Sequence, residues 1–176
     1  MKENFDICLE VVLDHEGGWS DHPHDPGGAT YKGITLNTLR RWWTGKGRAG
    51  RPSKDDLRRL DDGLIARIYR DDYWEAIKAD QLPGGVDLLA FDSAVNQGVN
   101  RASTLLQQAA GTSVDGIIRA NSLRAIRAAH KANPRGFLAE VAARRMRHYG
   151  GLSTFSTFGL GWSRRLMDVA TRAAIL

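Results

Sequence analysis

A single cysteine, Cys8, occurs in 176 residues. One thiol cannot form an intramolecular disulfide, and a free cysteine in an apolar-periodic segment is expected to be buried packing. Cysteine and histidine nowhere take a zinc spacing. His22, His24 and Asp25 lie close together, but no further ligand set accompanies them, so neither a metal nor another cofactor is expected. No run of about 18 apolar residues exists, which argues against an integral membrane segment. The start, MKENFDICLEVVLDHEGG, interrupts every apolar run with polar residues and does not read as a signal peptide. A nucleophile elbow is missing, which leaves Ser/His/Asp chemistry without support. Sustained β alternation is scarce, and neither internal repeats nor low-complexity tracts occur.

What is present is enough for a core. Hydrophobic residues make up 42% of the chain, which suits one domain or two small lobes. The net charge of +5 conceals an asymmetry. Residues 119–176 carry 11 Lys and Arg against two acids, Glu140 and Asp168, whereas residues 1–118 carry 14 basic and 18 acidic residues. A basic final third, with Arg144, Arg145 and Arg147 as its densest cluster, suits a polyanionic partner: cell wall, anionic lipid or nucleic acid. The alternative reading is an arginine-rich solvated helix face.

Apolar spacing predicts helices. Phe5, Leu9, Val12 and Leu13 mark one over about 3–16, stopped by Gly17-Gly18. Thr35 is placed to cap a second, carrying Leu36, Leu39 and Trp42 or Trp43. Ser53 with Asp56 resembles a capping box. Leu64, Ile65, Ile68 and Tyr69 form another helix, followed by Tyr73 and Trp74. Pro83-Gly84-Gly85 breaks the chain. Helices are then expected near 86–97, 101–110, 121–132, 134–149 and 160–175. The fold class is mainly α, with at most a small β-hairpin within 19–34.

The segment HEGGWSDHPHDPGGATYKGIT carries the chemistry. Glu16 falls at the expected C-terminal end of the first helix. Unpaired carbonyls there, and burial against Trp19, favour a protonated carboxyl. Such a group is what glycoside cleavage needs to protonate the leaving oxygen. Alone, a glutamate beside a Gly-Gly stop reads as a surface residue. Asp25 changes the balance, because a loop of eight intervening residues is long enough to fold back and set a second carboxylate opposite the first. Paired carboxylates fit an acid and a water-activating base. Thr30, separated from Asp25 by four residues, is placed to hold the attacking water. Asp25-Pro26-Gly27-Gly28 also reads as plain turn chemistry.

Glu16, eight residues, Asp25 and a following Thr30 resemble the catalytic spacing of T-even phage-type lysozymes, with one residue fewer between Asp and Thr. The longer string resembles glycoside hydrolase family 108. It comprises Glu16-Gly17-Gly18-Trp19, Asp25-Pro26-Gly27-Gly28-Ala29-Thr30 and Gly33-Ile34-Thr35. The resemblance continues through Tyr69, Tyr73 and Trp74, and through Phe91-Asp92-Ser93-Ala94-Val95-Asn96-Gln97-Gly98. Leu106-Gln107, Gly111 and Asp115-Gly116 look like that family's C-terminal peptidoglycan-binding-like region. Ile117-Ile118-Arg119-Ala120-Asn121-Ser122 departs from its usual continuation.

The resemblance implies a lysozyme-like helical fold and an N-acetylmuramidase of phage or bacterial type, endolysin-like, with Glu16 as its acid. The reaction this resemblance implies is cleavage of the β-1,4 bond between N-acetylmuramic acid and N-acetylglucosamine. Residues 1–90 are then the catalytic lobe and 91–176 the C-terminal lobe, packed as one unit. Trp19 is expected to stack on sugar, and Asn96 and Gln97 to hydrogen-bond it or simply to cap a helix. Trp74 is expected in the core. Asp92 is expected to be a satisfied structural acid rather than a cleft residue, the other reading its place on an apolar helix allows. The partners implied are peptidoglycan strands and a holin-type export system, with synthesis in the cytoplasm and action on the wall or periplasm. Rival readings are a lytic transglycosylase and a non-catalytic wall-binding or secretion-accessory protein. A helical nucleic-acid binder leaves the Glu/Asp loop unexplained, so no nucleic acid is expected.

Overall fold

Helical periodicity dictates most of the architecture. The computed structural model describes residues 4–21 and 28–176. Its elements are α1 (Asn4–Asp14), β1 (Thr30–Tyr31), β2 (Ile34–Thr35), α2 (Leu36–Gly45), α3 (Lys54–Arg58), α4 (Asp62–Tyr69), α5 (Val86–Gln97), α6 (Val99–Ala109), α7 (Ala120–Ala132), α8 (Pro134–Gly150) and α9 (Phe155–Ala173). A π-helical turn, Arg70–Trp74, and a 3-10 turn, Ala79–Gln81, lie between α4 and α5. Among the described residues β1 and β2 form the one sheet, a two-stranded antiparallel hairpin. The fold is therefore mainly α with a small hairpin, as expected. No helix among the described residues is long and apolar enough to cross a membrane.

The helix starts follow from side-chain caps. Thr35 accepts from the Thr38 N–H at 3.0 Å, and Asp61 from the Leu64 N–H at 2.7 Å. Ser53 and Asp56 make the reciprocal pair of a capping box. Asn133 caps α8, with Pro134 at its first position, where the missing N–H costs nothing. Each such cap contributes about 1 kcal/mol. Helix α9 departs from expectation by starting at Phe155 rather than 160. The run Phe155-Ser156-Thr157-Phe158-Gly159 has low helix propensity and hides the first turn. Tertiary contact overrides it: Phe155 and Phe158 lie 6.4 and 5.9 Å from Trp162, which stacks on Tyr149 of α8 at 5.2 Å.

Contacts divide the chain into two units. The smaller is Leu9–Asp72; the larger joins the segment ending at Cys8 to Tyr73–Leu176. In the smaller unit Val12, Ile34, Leu39, Leu57, Ile65 and Ile68 are buried. Of the two neighbouring tryptophans, Trp42 is the buried one, donating to Asp71 at 2.7 Å. Trp43 donates to the Ala49 carbonyl, and Arg48 lies over both rings.

The larger unit is built around α5, which packs against α6, α8 and α9 and is buried on every side from Val86 to Ala94. Trp74 is in the core as expected, edge-on to Phe5 and Phe91, with its indole N–H on Asp80. Cys8 is fully buried, and that burial, followed by the nearby Asp87 charge, keeps its thiol protonated. Gly85 opens α5 with φ +76, and a Cβ there would collide with the Ala173 carbonyl, so the helix start needs glycine.

Asp92 is the structural acid expected. It has no exposed surface, and neither has Arg145, whose Nη1 meets its Oδ2. Arg165 of α9 approaches Oδ1 at 2.7 and 2.8 Å. Arg145 also donates to the Tyr149 hydroxyl at 2.9 Å, and that hydroxyl donates to Asn96 at 2.9 Å. This corrects the reading of Arg144, Arg145 and Arg147 as one solvated cluster, because Arg145 faces the core.

Removing one partner of a buried ion pair leaves a charge uncompensated. Arg145→Gln should therefore cost about 3–5 kcal/mol. Arg144→Gln, which loses only a half-exposed pair with Glu140, should cost under about 1 kcal/mol. Urea unfolding of both variants checks this, and equal midpoints would contradict the buried pair.

Candidate active site

Helix α1 ends at Asp14, two residues short of Glu16. The Glu16 N–H still reaches back to the Leu13 carbonyl at 3.1 Å, so the chain tightens into one last turn before Gly17-Gly18. Glu16 is half-buried there.

The hairpin supplies its surroundings. Thr30 pairs with Thr35 and Tyr31 with Ile34, leaving Lys32-Gly33 as a two-residue turn. Both turn residues have positive φ, +44 and +73, as the type I′ turn favoured by the strand twist demands. Lys32 holds this uncommon conformation while its Nζ donates to Asp62 at 2.8 Å. Its carbonyl accepts the Tyr69 hydroxyl from the end of α4, also at 2.8 Å. Ser20 extends the hairpin on the other side through two backbone bonds to Thr30, at 2.8 and 2.9 Å.

Gly33 is where these parts meet. A Cβ built on it would overlap the Tyr69 hydroxyl and stand 2.7 Å from Glu16 Oε2 and 3.0 Å from Glu16 Cδ. The carboxyl of Glu16 and the phenol of Tyr69 thus both rest on the bare face of this turn. Only glycine satisfies the backbone angle and the close approach together. In sequence Tyr69 is one of the apolar positions of a helix, and Gly33 is part of the family string. The ring is indeed buried, but its hydroxyl and that glycine frame the Glu16 carboxyl. A Lys-Gly pair between short β-prone stretches was the available signal.

The other candidates are distributed unevenly. Thr30 lies in the same unit as Glu16, half-buried, with its hydroxyl donating to the Gly28 carbonyl at 3.2 Å. Trp19 is also in this unit, half-buried, with the Arg58 guanidinium 5.2 Å above its ring. Asn96 and Gln97 belong to the larger unit, at the end of α5. Asn96 accepts from Tyr149, while the Gln97 amide is shielded from solvent without a hydrogen-bond partner. Asp25, with His22 and His24, lies outside the described residues. Among the described residues no group of three His, Cys, Asp or Glu side chains is placed to hold a metal.

Residues 9–98 match the family model described as glycosyl hydrolase 108. The chain belongs to this family. It is accordingly an enzyme of the glycoside hydrolase type, and Glu16, the hairpin and Tyr69 all fall inside the matched stretch. A solved structure, described as that of Brucella abortus SagA, is similar over almost the full length of both chains. It shares 40% identity, covers 99% of this chain and 96% of its own, and superposes with a TM-score of 0.85. Comparison with curated proteins returns no match.

A side chain at Gly33 should push the Glu16 carboxyl away. Misplacing a reacting group by about 1 Å costs on the order of 100-fold in rate, so Gly33→Ala should lose that much glycan hydrolysis. Gly47→Ala is the control: it has φ +65 and open space around its Cβ, so it bears the same backbone penalty of about 1–2 kcal/mol without the collision. If both variants lose activity equally, the effect is stability and the contact with Glu16 is irrelevant.

Proposed function

We propose that this family 108 hydrolase is an N-acetylmuramidase. It hydrolyses the β-1,4 bond between N-acetylmuramic acid and N-acetylglucosamine in peptidoglycan, with Glu16 as general acid. The observation that carries the reading is the half-buried Glu16 carboxyl resting against the Gly33 turn beside the Tyr69 hydroxyl. A turn held by backbone pairing on both sides and by Tyr69 gives that carboxyl a rigid seat. Rigid placement of an acid at the leaving oxygen is what general acid catalysis requires.

Asp25 is the proposed base. It takes a proton from water, which attacks the sugar from the face opposite Glu16 and inverts the anomeric carbon. Thr30 holds that water as an acceptor, since its own hydroxyl proton is committed to the Gly28 carbonyl. Trp19 offers a ring face to a sugar, and Arg58 covers the other. Asn96 and Gln97 are proposed glycan contacts; Asn96 is exposed and accepts from Tyr149, while the Gln97 amide is shielded from solvent. The enzyme reaches the wall after synthesis in the cytoplasm, through a holin-type or related release.

Glu16→Gln keeps the shape and removes the transferable proton. It should lower peptidoglycan clearing by about 100-fold or more while leaving the circular dichroism spectrum intact. Clearing at the parent rate would sink the assignment.

Asp25→Asn should lower the rate on the same scale. Proton NMR of the first product should show an α-anomer at the new reducing end. A β-anomer would mean retention, and a 1,6-anhydro end would mean a transglycosylase. Either outcome removes Asp25 from the role of base.

A further inference from the structure

The larger unit collects positive charge that its acids do not balance. Arg101 and Leu105 of α6, with Arg144, Arg147 and His148 of α8, line a groove of about 470 Å³. Gly151 and Leu152, just past α8, complete its wall. Helices α6 and α8 pack on each other, so the groove has a fixed frame. Arg144 has an acid neighbour, Glu140 at 2.7 Å. Arg101 and Arg147 have none among the described residues. Partial burial, and then the charge of Arg101, hold the His148 pKa below its usual value. The C-terminus of α8 contributes roughly half a negative charge. That is too little to answer two unpaired guanidiniums.

We propose that this groove is a binding site for a phosphate group, either free or carried as an ester on a lipid headgroup. A carboxylate has two oxygens, which one guanidinium fork satisfies. Here donors come from two helices that line one groove, and a phosphate has enough peripheral oxygens to accept from Arg101 and Arg147 together. Its lining includes Leu105, Gln108 and Leu152 and no Phe, Tyr or Trp ring on which bases could stack, which does not suit a strand of nucleic acid. The hydrolysis proposed for Glu16 makes no use of this site.

Titration calorimetry of the full chain with inorganic pyrophosphate at constant ionic strength tests the site. The parent should bind saturably. The double variant Arg101→Gln/Arg147→Gln should weaken binding by about tenfold or more, the loss expected for charge-assisted hydrogen bonds. Both side chains are exposed, so the fold should survive the change. Arg124→Gln/Arg135→Gln removes the same charge from exposed positions outside the groove and should leave the affinity near the parent value. Co-sedimentation with phosphatidylglycerol vesicles, but not phosphatidylcholine vesicles, and its loss in the groove variant, would identify the lipid ester as the source. Pyrophosphate binding without vesicle binding would identify a soluble phosphate. The proposal is overturned by no saturable binding to either probe. It is also overturned by equal weakening in both double variants, or by citrate binding as tightly as pyrophosphate.

Discussion

A carboxylate with no exposed surface constrains everything around it. Moving such an ion from water into a protein interior costs several kcal/mol even after relaxation, and Asp92 meets that cost with Arg145 and Arg165. The geometry follows from helical spacing. Asp92 and Asn96 are four apart on α5, and Arg145 and Tyr149 are four apart on α8, so the two pairs face each other as rungs. Helix α9 adds Arg165 to the charge and Trp162 to the Tyr149 ring, three residues apart on one face. Rotating any of the three helices would unpair a buried ion. The contact therefore selects one register among many that apolar packing alone would tolerate.

The smaller unit depends on a different constraint, the missing side chain of Gly33. A type I′ turn requires positive φ at both of its residues, and Gly33 also yields its Cβ space to the Glu16 carboxyl and the Tyr69 hydroxyl. Tyr69 and Asp62 each bind Lys32, so α4 grips the turn at both ends. The candidate acid thus lies against the backbone of the turn.

Net charge misleads when read along the chain alone. Within the basic final third, Arg145 and Arg165 are used on Asp92, while Arg119, Arg144 and Arg172 pair with Asp115, Glu140 and Asp168. What remains concentrated is smaller and partly lies elsewhere in sequence, because Arg101 of α6 joins Arg147 of α8. A polyanionic partner was a fair expectation from composition. The surface that would meet it is a groove built from two helices.

Local chemistry determined what the sequence could reveal by itself. Apolar spacing and caps are written within a few residues, so the helices, the Thr35 cap, the Ser53–Asp56 box and the break before α5 were legible. The helix at 86–97 was legible for the same reason. The Glu-Gly-Gly-Trp string identified the hydrolase family. Contacts between distant residues decided the rest. Nothing near Tyr69 in sequence says that its hydroxyl lies on the turn 37 residues earlier, or that Gly33 shares that turn with Glu16. Arg145 looked like its neighbours Arg144 and Arg147, because charge is visible in sequence and direction is not. Which of three arginines turns inward depends on a carboxylate 53 residues away, and only the folded chain brings the two together.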